Sequence, residues 1–177
     1  MLNETISIET KGTEWKGLFE EQTQLYLNDV FEKRPIPVAL RSRVICELRI
    51  YLGLLLGAKV QEHYTEEVAL RVIQEYMRDI HDTVTWLGMS YQDVVQLTAD
   101  RHDFYLAGLF DETNGEAFLR HIGLQWFQFP LQTIEDDLRP SDYDFSCYYS
   151  DIPLVSHILF ELTPKVVQSM VDGFKPQ

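Results

Sequence analysis

Apolar residues recur every three or four positions along most of the chain, the period of one face of a helix. Trp15, Leu18, Phe19, Leu25, Tyr26 and Val30 form one such stripe, and Thr13 is its N-cap candidate. This helix is predicted over 13–32, ended by Pro35 and Pro37, because a residue before proline leaves the helical region. Residues 1–12 alternate only weakly around Ile6 and Ile8 and are expected to form an N-terminal arm ahead of one helical domain over 13–177.

The second element is the organising one. From about 37 to 60 the pattern changes along a single helix. Its first half carries Arg41, Arg43, Glu47 and Arg49, and its second half reads Ile50-Tyr51-Leu52-Gly53-Leu54-Leu55-Leu56-Gly57-Ala58 without a charge. A helix apolar on every side must be covered on every side. Its C-terminal half is therefore expected in the core and its N-terminal half near an edge. Gly53 and Gly57 share one face, and glycine costs a helix about 1 kcal/mol against alanine. Close approach of a neighbouring helix is the favoured reason, and a ligand is the other.

Further stripes follow. Thr65 caps a predicted helix to about Leu87, with Ala69, Val72, Ile73, Tyr76, Met77, Ile80 and Val84 inward and Gly88 as its stop. Ser90 with Asp93 resembles a capping box. The helix it opens is predicted to turn Tyr91, Val95, Thr98, His102, Tyr105 and Leu109 inward. A helix with Leu119, Ile122, Trp126 and Phe129 inward runs to Pro130, and Leu131 to Leu138 is a candidate short helix. Residues 135–151 are expected to be irregular, acidic and aromatic. Asp151 with Pro153, and Thr163 with Pro164, then start the last two helices. The pattern thus predicts an all-α, single-domain bundle of about six to seven helices around the central one.

Charge changes the functional picture. The formal net charge is −13, and residues 1–60 are balanced, so the whole excess of carboxylates lies after the central helix. Nucleic-acid phosphates and anionic membrane surfaces are disfavoured as partners, and a basic protein partner is favoured. The apolar run is shorter than the roughly 20 residues a bilayer needs. The N-terminus lacks a secretory pattern. Cys46 and Cys147 have no close partner in sequence. A soluble, cytoplasmic protein is the expectation.

Candidate chemistry is sparse. There is no glycine-rich nucleotide loop and no G-x-S-x-G elbow. The Glu-x-x-His unit of helical metal sites is missing, so neither metal nor cofactor is expected. Asp142-x-Asp144-x-Ser146 starts like a calcium loop, but Cys147 stands where glycine is needed and Pro153 where the closing glutamate belongs. His102 is the one weak catalytic candidate, and a hydrogen-bonded histidine at the core edge is the favoured reading. Arg43, Glu47, Arg49, Gly53, Gly57 and His102 outline a possible pocket, although a solvated first half of the helix is favoured for its charges. Asp142, Tyr143, Asp144, Phe145, Tyr148 and Tyr149 form the candidate binding segment, since exposed aromatics among carboxylates suit an interface. The alternative is that these aromatics fold back over the bundle end.

Three functions fit these readings. The first is a non-enzymatic interaction or inhibitory module for a basic partner. The alternative is a helical enzyme or small-ligand binder with a pocket between the central helix and the His102 helix. A homo-oligomer built on an exposed helix stripe is the third.

Overall fold

A computed structural model describes residues 8–109, 115–128, 130, 131 and 145–174. These residues form an all-α single-domain bundle. Its helices are α1 (Ile8–Lys33), α2 (Val38–His63), α3 (Glu66–Val84), α4 (Tyr91–Leu109), α5 (Gly115–Phe127), α6 (Phe145–His157) and α7 (Thr163–Phe174). A 3₁₀ turn, Thr85–Leu87, joins α3 to the α4 region, and a π-helical stretch, Ile158–Leu162, joins α6 to α7.

The central helix is α2, which packs against α1, α3, α4, α5 and α7. Its burial departs from the expected gradient. The continuous buried run is Cys46–Leu52, which includes Glu47 and Arg49. Leu54 and Leu55, in the uncharged half, are only partly buried. The core thus extends into the charged half of the helix, and Leu56, Gly57 and Val60 carry it on toward the C-terminal end. Two charged side chains lie in it because each finds a partner on another helix.

Gly53 and Gly57 bring α2 close to α3. A Cβ at Gly53 would stand 2.7 Å from the Tyr76 ring, and one at Gly57 would stand 3.2 Å from Ile73. The absence of a side chain at 53 lets the Tyr76 ring lie against the α2 backbone. The predicted inner stripe of α3 is buried at Ala69, Val72, Tyr76, Met77, Ile80 and Val84.

Local signals set several ends. Gly88 has φ +75°, the left-handed conformation that stops the 3₁₀ turn. The Ser90–Asp93 capping box forms in both directions: the Ser90 N–H donates to Asp93 at 2.6 Å, and the Asp93 N–H donates to Ser90 Oγ at 3.2 Å. Hydrogen bonding from Ser90 to the Asp93 carboxyl holds it below its ordinary pKa.

Two expected boundaries are corrected. Helix α1 begins at Ile8, so the arm does not extend to residue 12, and residues 1–7 lie outside the described part. Residues 145–151 are helical rather than irregular, because α6 starts at Phe145 and carries Pro153 inside it. Pro153 is exposed and has no N–H to offer the Tyr149 carbonyl. The expected helix start at Asp151–Pro153 is thus a helix interior. Pro164 acts similarly further on, since it has no N–H for the Phe160 carbonyl. The ladder shifts to π spacing, with the Thr163 N–H closing on the Ile158 carbonyl and Thr163 Oγ1 donating to the same oxygen at 2.7 Å.

Candidate functional site

Three features of the bundle carry chemistry: a buried polar centre, a cavity, and an acidic face. The polar centre is built on Glu47, which is 0% exposed. Arg101 of α4 grips it bidentately, with Nη2 donating to Oε1 at 2.7 Å and Nε donating to Oε2 at 2.9 Å. The Gln125 amide donates to Oε1 at 3.1 Å, and the Leu131 N–H donates to it at 2.8 Å. Leu131 has φ +64°, which a residue with a side chain rarely adopts, so the Glu47 carboxylate anchors a strained turn after α5. Burial works against the Arg101 charge, but the hydrogen bonds and negative charge of Glu47 outweigh it and hold its pKa above the ordinary arginine value.

The second charged residue of the core, Arg49, pairs with Asp79 at 3.1 Å and also reaches the Thr83 hydroxyl on α3. A third ion pair ties the end of α1 to α6, with Arg34 Nε donating to Asp151 Oδ1 at 2.7 Å. Burial raises the Asp151 pKa above the ordinary value, and the Arg34 guanidinium limits the rise. Arg43 is exposed, as a solvated first half of the helix requires, whereas Glu47 and Arg49 are buried in ion pairs. Cys46 is buried beside this centre as a free thiol, and burial pushes its pKa up to about 12.

His102 does not lie on the inner face of α4. Its side chain is 52% exposed, with Nδ1 3.2 Å from Asp103. Among the described side chains of α4, the buried positions are Val94, Arg101 and Tyr105, with Thr98 partly covered between them, and the expected inward Leu109 lies outside the described side chains. The face is turned by one residue from the expected one because Arg101, not His102, has a carboxylate to meet inside. Tyr105 continues this face into an aromatic cluster. Its ring meets Tyr51 at 5.0 Å, and its hydroxyl accepts the Trp126 indole N–H at 2.7 Å.

Of the six expected pocket residues, Gly53, Gly57 and His102 border one cavity of about 320 Å³ between α2, α3 and α4. Glu47 and Arg49 are held in their own ion pairs and do not line it. The walls are apolar, with Tyr51, Leu54, Ile73 and Met77 among them, and Thr98 adds a hydroxyl. Ala58, Gln61, His102 and Leu106 are exposed and form its mouth. A sealed, empty void of this size would cost about 8 kcal/mol at about 24 cal/mol per Å³. That rivals the whole net stability of a domain, about 5–15 kcal/mol. An open mouth is the arrangement that avoids it.

The acidic face runs down the outside of α4. Asp93, Asp100 and Asp103 recur at spacings of seven and three, and all are exposed on one side of the helix. None has a lysine or arginine partner in a salt bridge among the described residues. In the 3₁₀ turn ahead of α4, Trp86 is 63% exposed, with its indole N–H donating to the Thr83 carbonyl at 2.9 Å. Tyr91, also exposed, stacks edge-on against His81 at 5.9 Å. The expected binding segment gives no geometry to set beside this face. Asp142, Tyr143 and Asp144 lie outside the described residues, and the side chains of Phe145, Tyr148 and Tyr149 do too, although their backbone is helical in α6.

Sequence reasoning missed Arg101, Gln125 and Trp86. The 94/98/101/105 spacing held the signal for Arg101. Trp86 lay in a predicted helix end, where nothing local separates an exposed tryptophan from a buried one. Among the described residues, no three His, Cys, Asp or Glu side chains come together as metal ligands. No described helix is long and apolar enough to cross a membrane. Comparison of the chain with protein families, with curated proteins and with solved structures finds no match.

Proposed function

We propose that the protein is a non-enzymatic interaction module that docks a basic protein partner on the outer face of α4. The observation that carries this reading is an exposed, hydrogen-bonded Trp86 in the turn that leads into α4, a helix that itself exposes the carboxylates Asp93, Asp100 and Asp103. An exposed tryptophan held in one orientation loses little entropy on binding, and tryptophan is enriched among residues that dominate interface energy. The carboxylate stripe supplies complementarity to lysine and arginine, and the net charge of −13 steers such a partner toward the molecule. The carboxylates fix partner class and approach rate, and Trp86 supplies the anchor.

The test is titration of a panel of lysine- and leucine-containing basic peptides against wild type, Trp86→Ala and a triple Asp93→Asn, Asp100→Asn, Asp103→Asn variant. Saturable binding at about 0.05 M salt is expected, weakening at about 0.5 M as screening shortens the field. Each variant should bind at least about tenfold more weakly. Equal affinity in wild type and variants refutes the docking face. Absence of saturable binding by every basic peptide refutes the partner class.

A further inference from the structure

We infer that the cavity between α2, α3 and α4 is a binding site for a small, uncharged, largely apolar molecule with one polar end. Size sets the first limit. Engineered apolar cavities of about 150 Å³ accept benzene, so a cavity of about 320 Å³ suits a ligand on the order of a dozen non-hydrogen atoms. Polarity sets the second. The inner wall is Tyr51, Leu54, Ile73 and Met77, whereas His102 and Gln61 are placed at the mouth. A ligand with its apolar body inward and a hydroxyl or carbonyl at the mouth matches both ends, the usual arrangement of a small-molecule pocket.

Charge sets the third limit. Among the described residues, no lysine, arginine, aspartate or glutamate lines the cavity. A cation would be desolvated without a carboxylate to meet it. An anion would meet no fixed positive charge, and Asp103 stands 3.2 Å from the His102 ring that borders the mouth. An uncharged polar end is what remains, and His102 can donate to it or accept from it through Nε2.

The glycines are not the recognition element. Gly53 is required by Tyr76 and Gly57 faces Ile73, so their role is to seat α3 on α2. The cavity is lined from α2, α3 and α4 together. This site is separate from the outer face of α4, and its test does not depend on a protein partner.

The probe is 1-naphthol, a bicyclic aromatic alcohol, with 1-naphthoate as its anionic counterpart. Saturable binding of 1-naphthol is expected, with the Met77 methyl resonance shifting in step with occupancy, since Met77 is buried against the cavity. 1-Naphthoate should bind at least about tenfold more weakly. Ala58→Trp places a ring at the mouth from an exposed position and should weaken 1-naphthol at least about tenfold without lowering the melting temperature. If Ala58→Trp melts early, the Met77 shift in wild type decides location alone. No saturable binding of 1-naphthol, or binding with an unmoved Met77 methyl, overturns the site. Equal affinity for the anion overturns the assigned ligand class. Unchanged affinity in a natively melting Ala58→Trp overturns the entrance, and with it the site.

Discussion

Removing one charge from the Glu47–Arg101 pair should destabilise the bundle more than removing both. Glu47→Gln keeps the shape and one acceptor oxygen, but it removes the carboxylate charge that the Arg101 guanidinium grips in the core. Arg101→Met leaves the Glu47 carboxylate there, held only by the Gln125 amide and the Leu131 N–H. The Arg101 and Glu47 side chains are 8% and 0% exposed, so water screens neither charge appreciably. Breaking a buried pair from one side costs about 3–5 kcal/mol. The double variant, Glu47→Gln with Arg101→Met, buries no charge, and the new amide oxygen at position 47 still accepts from Leu131 and Gln125. Its cost should be about 1–2 kcal/mol, the scale of the lost net hydrogen bonding. Urea unfolding of the four proteins, with the slope checked for constancy, reads these differences as midpoint shifts. Two results would refute the reasoning: single variants within about 1 kcal/mol of wild type, or a double variant whose cost equals the sum of the singles within about 0.5 kcal/mol. Either would mean that the two charges are not coupled.

Gly53→Ala should destabilise by about 1–3 kcal/mol, because its Cβ would meet the Tyr76 ring at 2.7 Å. Gly57→Ala should be close to neutral, since a contact of 3.2 Å with the flexible Ile73 side chain is offset by about 1 kcal/mol of helix propensity. Thermal melts of the two variants test the contrast, and equal losses would count against it. Asp151 makes a pH prediction. Its folded pKa is raised above 3.8 by burial, so the folded state takes up a proton before the unfolded chain does. The stability from this site is fully present below the unfolded value and lost as pH rises through the folded one. The advantage of wild type over Asp151→Asn should therefore grow as pH falls through the window just above 3.8, measured by urea midpoints at several pH values. An advantage that shrinks on acidification would show the sign to be wrong.

Helical periodicity, proline and glycine stops and the Ser90–Asp93 capping box are local in origin, so the sequence by itself determined the all-α class, the central place of α2 and most helix ends. Local signals failed at Pro153. A proline that ordinarily opens a helix sits inside α6, at an exposed position, and exposure is a tertiary property. The same limit governed the site. Gly53, Gly57 and His102 could be grouped from helix spacing, and they do border one cavity. Which of Arg101 and His102 enters the core turned on one residue of rotation of α4. That rotation is decided by Glu47, 54 positions away, through a bidentate pair that no local window contains. Trp86 was decided the same way. Its sequence neighbours suit burial or exposure equally, and only the packed bundle shows the indole on the surface. Periodicity fixes which side chains share a face. What each face meets depends on partners far along the chain, and those contacts form only when the helices come together.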